Sequence, residues 1–563
     1  MAPTSSGFMA VGAVLLAAQT SSSALVCAAM RSAALPRRTA ELAACAAAED
    51  SQQLYLSRLA EWIAGAGGDV SRVRIGDVDG MRGGVLNKAP SAFDDELMAV
   101  PAALALSDDI DVLIDTPVGS AIGRAGLALL QPDAHLALRL LHEDALGTAS
   151  PWCDYLCVLP DRVRTARHLT DDALLACRSS FVLEQSMLAR KYASNLYGTL
   201  KRLLETSALA AASTASVGAS SPGDAAAPPL VELPFDEERL GWALDMVHSR
   251  SFSVDVGGPR GMRRFMVPYI DMLNHSPRHP GCAFSYDDSE EPPCFVVQLM
   301  QPDGTTGGEA SQSGEVGVDV GSQLWLDYGP VSSDELLLMY GFVPSAPTPH
   351  DSVELEGAYT PADLEAAPGS DATLDAKRAL LASCRYAAPR SFCVRADGNI
   401  DPAVICALRL IYLETEDVTD GTDDVTDDAA GLSDDVLSRA LRHAPLSAAN
   451  ERRVAEALRL RLSDELDASG TPLEFDLQVL GGEAAAWEEL ADLEGEEVLH
   501  GEPREQMRSA VQIRANRKMV LAESVTRLDG FLTRCDQGGG EGGRALNLLD
   551  ECFEDYMPNI RMT

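Results

Sequence analysis

The sequence predicts an α+β protein in which a region of short strands carries a helical insertion and is followed by a helical region. Short apolar runs broken by glycines begin at Val73, and strand signals return from Phe265 to Leu326. Between these stretches, apolar residues recur at helical spacing from about Leu127 to Leu209, and the same spacing returns beyond Pro344. These patterns place small sheets in the first part of the chain and helices in the last part.

The first predicted elements are a helix and a pair of small strands. Apolar residues at near-helical spacing from Leu54 to Ile63 predict an amphipathic helix that ends near Gly65. Two short apolar runs follow at 73–78 and 85–86, and the glycines at positions 80, 83 and 84 are predicted to break them into strands and turns.

The length of 563 residues exceeds one ordinary hydrophobic core and predicts two or three domains. We expect a leader at residues 1–45, a first domain at 50–345, a helical domain at 350–530 and a tail at 531–563. The helical insertion is expected at about 125–240, and its Ala-, Ser-, Gly- and Pro-rich stretch 209–229 is predicted to be a disordered loop. A hairpin insertion at 301–321 and an acidic loop at 414–435 complete the predicted organisation.

Composition excludes some classes of partner. The chain has 85 acidic and 45 basic residues and a net charge of −40, which argues against nucleic acid or an anionic membrane as the main partner. The charge favours either a basic protein partner or a role in solubility. The 12 cysteines are scattered, and Cys153 and Cys157 lack the spacing of a zinc site, so we expect reduced thiols and no bound metal.

The N-terminal residues resemble a targeting leader. Residues 1–40 contain no Asp or Glu but include Arg31, Arg37 and Arg38. The apolar run from Phe8 to Ala18 is shorter than the about 20 residues that span a bilayer, yet it suits the core of a signal peptide. The combination is similar to a two-part plastid signal and predicts a plastid or other organelle, with the secretory pathway or the cytoplasm as alternatives.

Two strings of polar residues carry the chemistry. The segment from Met266 to Ser276 begins as an apolar strand and ends in polar side chains, a pattern that on its own favours a capped turn. The segment from Leu324 to Gly329 contains Tyr328 and leads through Ser332-Ser333-Asp334-Glu335 to Tyr340. Two tyrosines therefore flank a predicted short helix.

Together these strings closely resemble the SET domain of the Rubisco large-subunit methyltransferase family. The resemblance runs in order from about residue 55 to residue 525. Its further segments are the glycine-rich turn Gly80-Met81-Arg82-Gly83, the region Leu141 to Pro160 with Glu143, Ser150, Trp152, Tyr155 and Leu159, the string Ser249-Arg250-Ser251-Phe252, and the closing helix Arg508 to Lys518.

The resemblance implies a fold, a cofactor and a reaction. It implies small twisted β-sheets around a knot-like cofactor site, a helical insertion, and an all-α C-terminal substrate-binding domain. It implies that S-adenosyl-L-methionine donates a methyl group to the side-chain nitrogen of a lysine on a non-histone protein, without a metal. The partner is then a protein substrate, with no nucleic acid, no membrane after leader removal, and a monomer favoured.

The resemblance also assigns roles to individual residues. Tyr328 is the expected catalytic residue, which positions the amine or relays its proton. Arg250 and Asp271 are expected to border the lysine channel. The expected cofactor-binding residues are Gly80, Arg82, Ser249, Arg250, Asp271, Asn274, His275 and Tyr340.

Methyl transfer agrees with these assignments in its physical demands. An in-line displacement requires mainly alignment of donor and acceptor. A lysine, with an ordinary pKa of about 10.4, must also be neutral, which an apolar channel beside a sulfonium favours.

Some positions depart from the family pattern and leave alternatives open. The family usually has Ser-Asn-Ala-Glu at positions 332–335, glycine is common at Met81, and glutamate is usual at Arg517. These departures bear on the choice of substrate. The alternatives are a histidine-directed methyltransferase and a catalytically weak scaffold that binds a partner through the helical domain. A dinucleotide-binding fold and a hydrolase are excluded because their glycine-rich and Gly-x-Ser-x-Gly motifs are absent.

Overall fold

The computed structural model describes the residues 49–78, 81–88, 91–218, 233–257, 261–276, 281–289, 291–300, 316–356, 377, 391–414, 417, 445–537 and 546–549. The predicted leader, Gly80, and most of the two loops at 301–321 and 414–435 lie outside these residues. The chain divides into two compact units. The first unit draws on 1–168, 184–329 and 338–341, and the second on 169–183, 330–337 and 342–563.

The first unit combines short strands with the helical insertion. Its elements up to the insertion are α1 (Glu49–Gly65), β1 (Val73–Val78), β2 (Met81–Leu86), β3 (Ser91–Ala92), β4 (Glu96–Pro101) and β5 (Leu106–Ser107). Helices α2 (Ile110–Leu113) and α3 (Pro117–Leu127) come next, and α4 (Pro132–Leu146) and α5 (Cys153–Val158) fall within the predicted insertion at about 125–240. Helix α6 (Asp171–Ala176) follows along the chain but belongs to the second unit, and α7 (Ser180–Gly218) and α8 (Glu237–Arg250) come after it. The remaining strands are β6 (Ser251–Asp255), β7 (Met262–Met266), β8 (Asn274–His275), β9 (Cys282–Asp287), β10 (Cys294–Leu299), β11 (Val316–Val318) and β12 (Gln323–Leu326).

Strand β12 is at the centre of the largest sheet, whose order is β1-β2-β12-β9-β10-β4. Its first residues pair antiparallel with β2, with Leu324 opposite Gly84, and its last residues pair parallel with β8, with Leu326 opposite His275. A three-stranded sheet β5-β7-β6 and a two-stranded sheet β11-β3 complete the unit. The pairing of β12 with both β2 and β8 brings three distant stretches of chain together.

The core of the first unit is formed by apolar side chains that the sheets and the insertion share. Leu59 and Ile63 of α1 are fully buried, as are Leu136 and Leu140 of α4 and Phe295 of β10. The predicted α1, β1 and β2 are confirmed.

Two local predictions are wrong. Glycines 83 and 84 lie inside β2 and do not break the strand. Neighbouring side chains occupy the space that a Cβ at either position would need, so packing requires glycine there. Helix α7 continues to Gly218, so residues 209–218 are helical rather than part of the predicted disordered loop. Alanine is the best helix former, and the stretch is rich in it. Residues 219–229 lie outside the described residues.

The second unit is mainly helical. After α9 (Ser333–Glu335), it contains α10 (Pro402–Ile411), α11 (Ala448–Ala468), α12 (Leu473–Gly481), α13 (Ala484–Glu494) and α14 (Gly501–Asp536). Strands β13 (Ser352–Glu356) and β14 (Ser391–Arg395) form an antiparallel pair that the sequence analysis does not predict. The α+β class with a helical C-terminal region is confirmed.

Among the described residues, none of the helices combines the length and the hydropathy needed to cross a membrane.

Candidate active site

The polar segment of the first unit lies between β7 and β8. Strand β7 ends at Met266, and a single 3-10 turn at Ile270–Met272 then leads into β8. The predicted apolar strand is therefore mostly a turn. Tyr269 precedes this turn with a φ of 75° and donates its hydroxyl hydrogen to the carbonyl oxygen of Val73 at 3.1 Å. This bond ties the turn to the neighbouring strand β1.

Asp271 is the charged centre of the site. Its residue surface is 6% exposed, and its Oδ2 accepts a hydrogen bond of 2.8 Å from the Tyr155 hydroxyl. Arg250 Nη1 lies 3.4 Å from the same oxygen and donates to the Asp271 backbone carbonyl at 3.0 Å. Burial raises the pKa of Asp271, while Arg250, the Tyr155 hydrogen bond and Arg82 oppose that rise. A buried carboxylate with these partners can interact with a charged group of a ligand.

Arg82 connects this centre to strand β2. Its Nη1 donates to the carbonyl of Val158, and its Nη2 donates to Gln52 Oε1 at 3.1 Å. Its own backbone carbonyl accepts from Asn274 Nδ2 at 2.9 Å. Burial and the charge of Arg250 lower the pKa of Arg82, while Asp271 raises it. Two guanidinium groups thus face one carboxylate.

Glycines of β2 allow β8 to approach closely. A Cβ at Gly83 would lie 2.7 Å from Gln323 Nε2 and 2.9 Å from Asn274 Nδ2. A Cβ at Gly84 would lie 2.1 Å from Leu273 Cδ2, which is closer than any real contact. Glycine at both positions therefore lets the polar segment lie directly against the strand.

Tyr328 closes the site from the end of β12. Its hydroxyl donates to the Leu273 carbonyl at 2.7 Å. Its ring stacks on His275 with centroids 4.8 Å apart and lies 4.8 Å from the ring of Tyr340. Burial raises the pKa of Tyr328, Arg250 lowers it, and Asp271 raises it further. The phenol therefore stays protonated at neutral pH.

The structure brings most of the predicted site residues together, and their individual roles remain predictions. The group contains Arg82, Arg250, Asp271, Asn274, His275, Tyr328 and Tyr340. The Ser249 hydroxyl instead donates to the Asp245 carbonyl of its own helix at 2.7 Å. Gly80 lies outside the described residues.

Two polar residues of the site were not predicted to take part in it. Tyr155 is fully buried on α5 and its hydroxyl donates to Asp271, a contact that the sequence does not predict. A tyrosine surrounded by the apolar residues of a short helix signals that its hydroxyl needs a buried partner. Gln323 lies at the start of β12 with its side-chain nitrogen buried and without a hydrogen-bond partner among the described residues. Nothing in the sequence distinguishes it.

The arrangement suits a charged ligand beside a neutral phenol. The carboxylate of Asp271 and the guanidinium groups of Arg82 and Arg250 offer both signs of charge, and the rings of Tyr328 and Tyr340 lie 4.8 Å apart beside them. Groups of three or more His, Cys, Asp or Glu side chains that could hold a metal ion are not found in the part of the chain that the structure describes.

The second unit has a buried ion cluster on α14. Asp476 is fully buried and accepts from Arg514 at 2.7 Å and 3.1 Å and from Lys518 at 2.6 Å. The cluster joins α12 to α14, the helix that contains the predicted closing segment Arg508 to Lys518.

Residues 368–521 match the family model described as Rubisco LSMT substrate-binding. For this part of the chain, the resemblance stated from the sequence is confirmed. A search of curated proteins found no relative.

Solved structures with a similar backbone include three of LSMT. The crystal structure of the LSMT SET domain bound to MeLysine and AdoHcy has a TM-score of 0.49 and 19% identity, covering 86% of this chain and 93% of that chain. The SET domain bound to Lysine and AdoHcy gives 0.49 and 19%, covering 89% and 97%. Rubisco LSMT bound to AdoMet gives 0.48 and 19%, covering 86% and 93%.

Proposed function

We propose that this chain is an S-adenosyl-L-methionine-dependent protein methyltransferase that methylates the side-chain nitrogen of a lysine on a non-histone protein. The observation that carries the proposal is the position of Tyr328. Its half-buried phenol lies against His275 and Tyr340 and donates to the Leu273 carbonyl, at the end of the polar segment that includes Asp271. The match of residues 368–521 to a substrate-binding family supports a protein substrate.

The residues present fit the proposed cofactor. Arg250 Nε and Gln323 Nε2 are buried and have no hydrogen-bond partner among the described residues. S-adenosylmethionine is an amino acid joined to a nucleoside through a sulfonium. Its cationic and anionic groups can interact with such buried polar atoms. Asn274 and His275, with Arg82, would hold it. When bound, it supplies a methyl carbon, and the carbon–sulfur bond breaks as the nitrogen–carbon bond forms.

The chain's own residues would align and prepare the amine. The protonated phenol of Tyr328 has an oxygen lone pair that can accept a hydrogen bond from the amine and so orient its nitrogen. Asp271 and Arg250 would border the path of the lysine side chain. Burial favours the neutral amine, because desolvation disfavours its charged form.

The proposal is tested with the purified full chain. Calorimetry should detect S-adenosylmethionine binding, and labelled methyl groups should appear on lysines of the chain itself or of proteins in an organelle extract. Mass spectrometry of the labelled residue separates lysine from histidine as the target. A folded chain that binds no S-adenosylmethionine would contradict the proposal and leave the scaffold alternative.

We also propose an organelle, with a plastid favoured, as the site of action. Residues 1–45 fused to a fluorescent protein should then be imported and cleaved, whereas secretion or a cytoplasmic signal would favour the alternatives. The net charge of −40 supports a protein rather than a nucleic acid as partner. We also propose that the chain is a monomer, which light scattering of the purified chain tests.

A further inference from the structure

The hydroxyl of Tyr155 is aimed at the buried carboxylate of the candidate site. Tyr155 is 0% exposed and donates to Asp271 Oδ2 at 2.8 Å across a sequence separation of 116 residues. Burial and the charge of Asp271 raise the pKa of Tyr155 well above its ordinary value. The hydroxyl is therefore a hydrogen-bond donor throughout the physiological pH range.

The two oxygens of the Asp271 carboxylate have different surroundings. Arg250 Nη1 lies 3.4 Å from Oδ2, the same oxygen that accepts from Tyr155, and it is fixed by a 3.0 Å bond to the Asp271 backbone carbonyl. Oδ1 is buried and has no hydrogen-bond partner within the described residues. Two donors on one oxygen fix the rotation of the carboxylate and leave the other oxygen to a ligand.

We propose that Tyr155 is a positioning residue for substrate binding: together with Arg250 it holds Asp271 Oδ2 and so presents Oδ1 to the incoming lysine side chain. The inference rests on the methyltransferase function proposed above. It adds a residue of the helical insertion to the set that determines substrate affinity.

The groups around Asp271 determine how removal of the Tyr155 hydroxyl changes the pKa of the Asp271 carboxyl. The groups that face the carboxylate are Tyr155 from α5, Arg250 from the end of α8, Arg82 from β2 and Tyr328 after β12. Burial raises the pKa of Asp271, and the hydrogen bond from Tyr155 lowers it. Without that bond the pKa rises further, so the ionised form is lost at a higher pH.

The experiment measures affinity for free L-lysine as the probe. The full chain, saturated with S-adenosylhomocysteine, is titrated calorimetrically between pH 5 and 8, where the lysine side chain stays cationic. Lysine affinity should fall as the pH drops through the pKa of Asp271. In Tyr155→Phe this fall should begin at a higher pH, so that the affinity is about tenfold weaker than that of the wild type at the pH values between.

Tyr192→Phe is the matched control. The Tyr192 hydroxyl also donates to a carboxylate, Asp133 Oδ1 at 3.1 Å, and not to Asp271. Its pH profile should equal that of the wild type. Identical profiles for Tyr155→Phe and Tyr192→Phe would overturn the positioning role.

Asp271→Asn tests the inference independently of whether Tyr155→Phe folds. Its lysine affinity should be weak and independent of pH across this range, and adding Tyr155→Phe should change it no further. If Asp271→Asn keeps the wild-type pH dependence, another group titrates and the inference is wrong. A wild type that binds neither cofactor nor lysine overturns both proposals, whereas a wild type that binds the cofactor but not lysine overturns this one.

Discussion

The ring of Tyr328 stacks on the imidazole of His275, with centroids 4.8 Å apart and an angle of 18° between the planes. His275 belongs to β8 and Tyr328 follows β12, and these two strands pair in parallel. The stack therefore depends on the register of two short strands. It also fixes the direction of the Tyr328 hydroxyl toward the Leu273 carbonyl.

Tyr328→Phe should lower turnover by about 100-fold or more, because it removes the hydroxyl that orients the amine or relays its proton. The ring and its stacking remain, so S-adenosylmethionine affinity should stay within about threefold of the wild type. Tyr197→Phe is the control, since the Tyr197 hydroxyl also donates to a backbone carbonyl, that of Phe235. Single-turnover kinetics and calorimetry measure the two quantities. Equal turnover in Tyr328→Phe and Tyr197→Phe would remove Tyr328 from the mechanism.

Asn274→Ala should weaken S-adenosylmethionine binding by about tenfold. The substitution removes the 2.9 Å bond from Asn274 Nδ2 to the Arg82 carbonyl and leaves that carbonyl without this donor. Asn195→Ala, at an exposed position of α7, should bind the cofactor like the wild type. Cofactor affinity in Asn274→Ala equal to that in Asn195→Ala would contradict a role for Asn274.

Gly84→Ala should destabilise the first unit by about 1–3 kcal/mol, because the new methyl group would lie 2.1 Å from Leu273 Cδ2. Gly198→Ala on α7 is the matched control, since its Cβ would meet nothing closer than Arg202 Nη1 at 3.5 Å. That change should stabilise the helix by about 0.5–1 kcal/mol. Thermal unfolding followed by circular dichroism measures both. A Gly84→Ala variant as stable as the wild type would show that Leu273 can move aside.

Asp476→Ala should destabilise the second unit by about 3–5 kcal/mol, since it leaves Arg514 and Lys518 as buried cations without their carboxylate. Asp529→Ala breaks an exposed pair with Arg459, with side chains 49% and 44% exposed, and should cost under about 1 kcal/mol. Scanning calorimetry distinguishes the two variants. Similar unfolding temperatures would mean that the buried cluster rearranges at little cost.

The sequence was informative about the site where chemistry is concentrated in short strings. Asp271, Asn274 and His275 stand close together in one string, and Tyr328 in a second, so resemblance could mark them. Tyr155 could not be assigned to Asp271 in this way, because 116 residues separate them and only the tertiary fold joins α5 to the turn.

Two features of the fold were missed for local physical reasons. The glycines of β2 were interpreted as strand breakers, whereas packing against Leu273 and Asn274 requires them within the strand. The low complexity of the alanine-rich end of α7 led to the prediction of a loop. The high helix propensity of alanine decides the structure of this segment instead. Strands β13 and β14 are separated by 34 residues and make one isolated pair, so neither has the neighbours that make a strand pattern recognisable.

The bond between Asn274 and the Arg82 carbonyl spans 192 residues, and Tyr328 must be present for the stack on His275. During synthesis on a ribosome, a nascent chain that ends before β12 lacks the strand that pairs with both β2 and β8, and the stack of Tyr328 on His275 cannot yet form. The largest sheet can therefore close only after β12 has been synthesised.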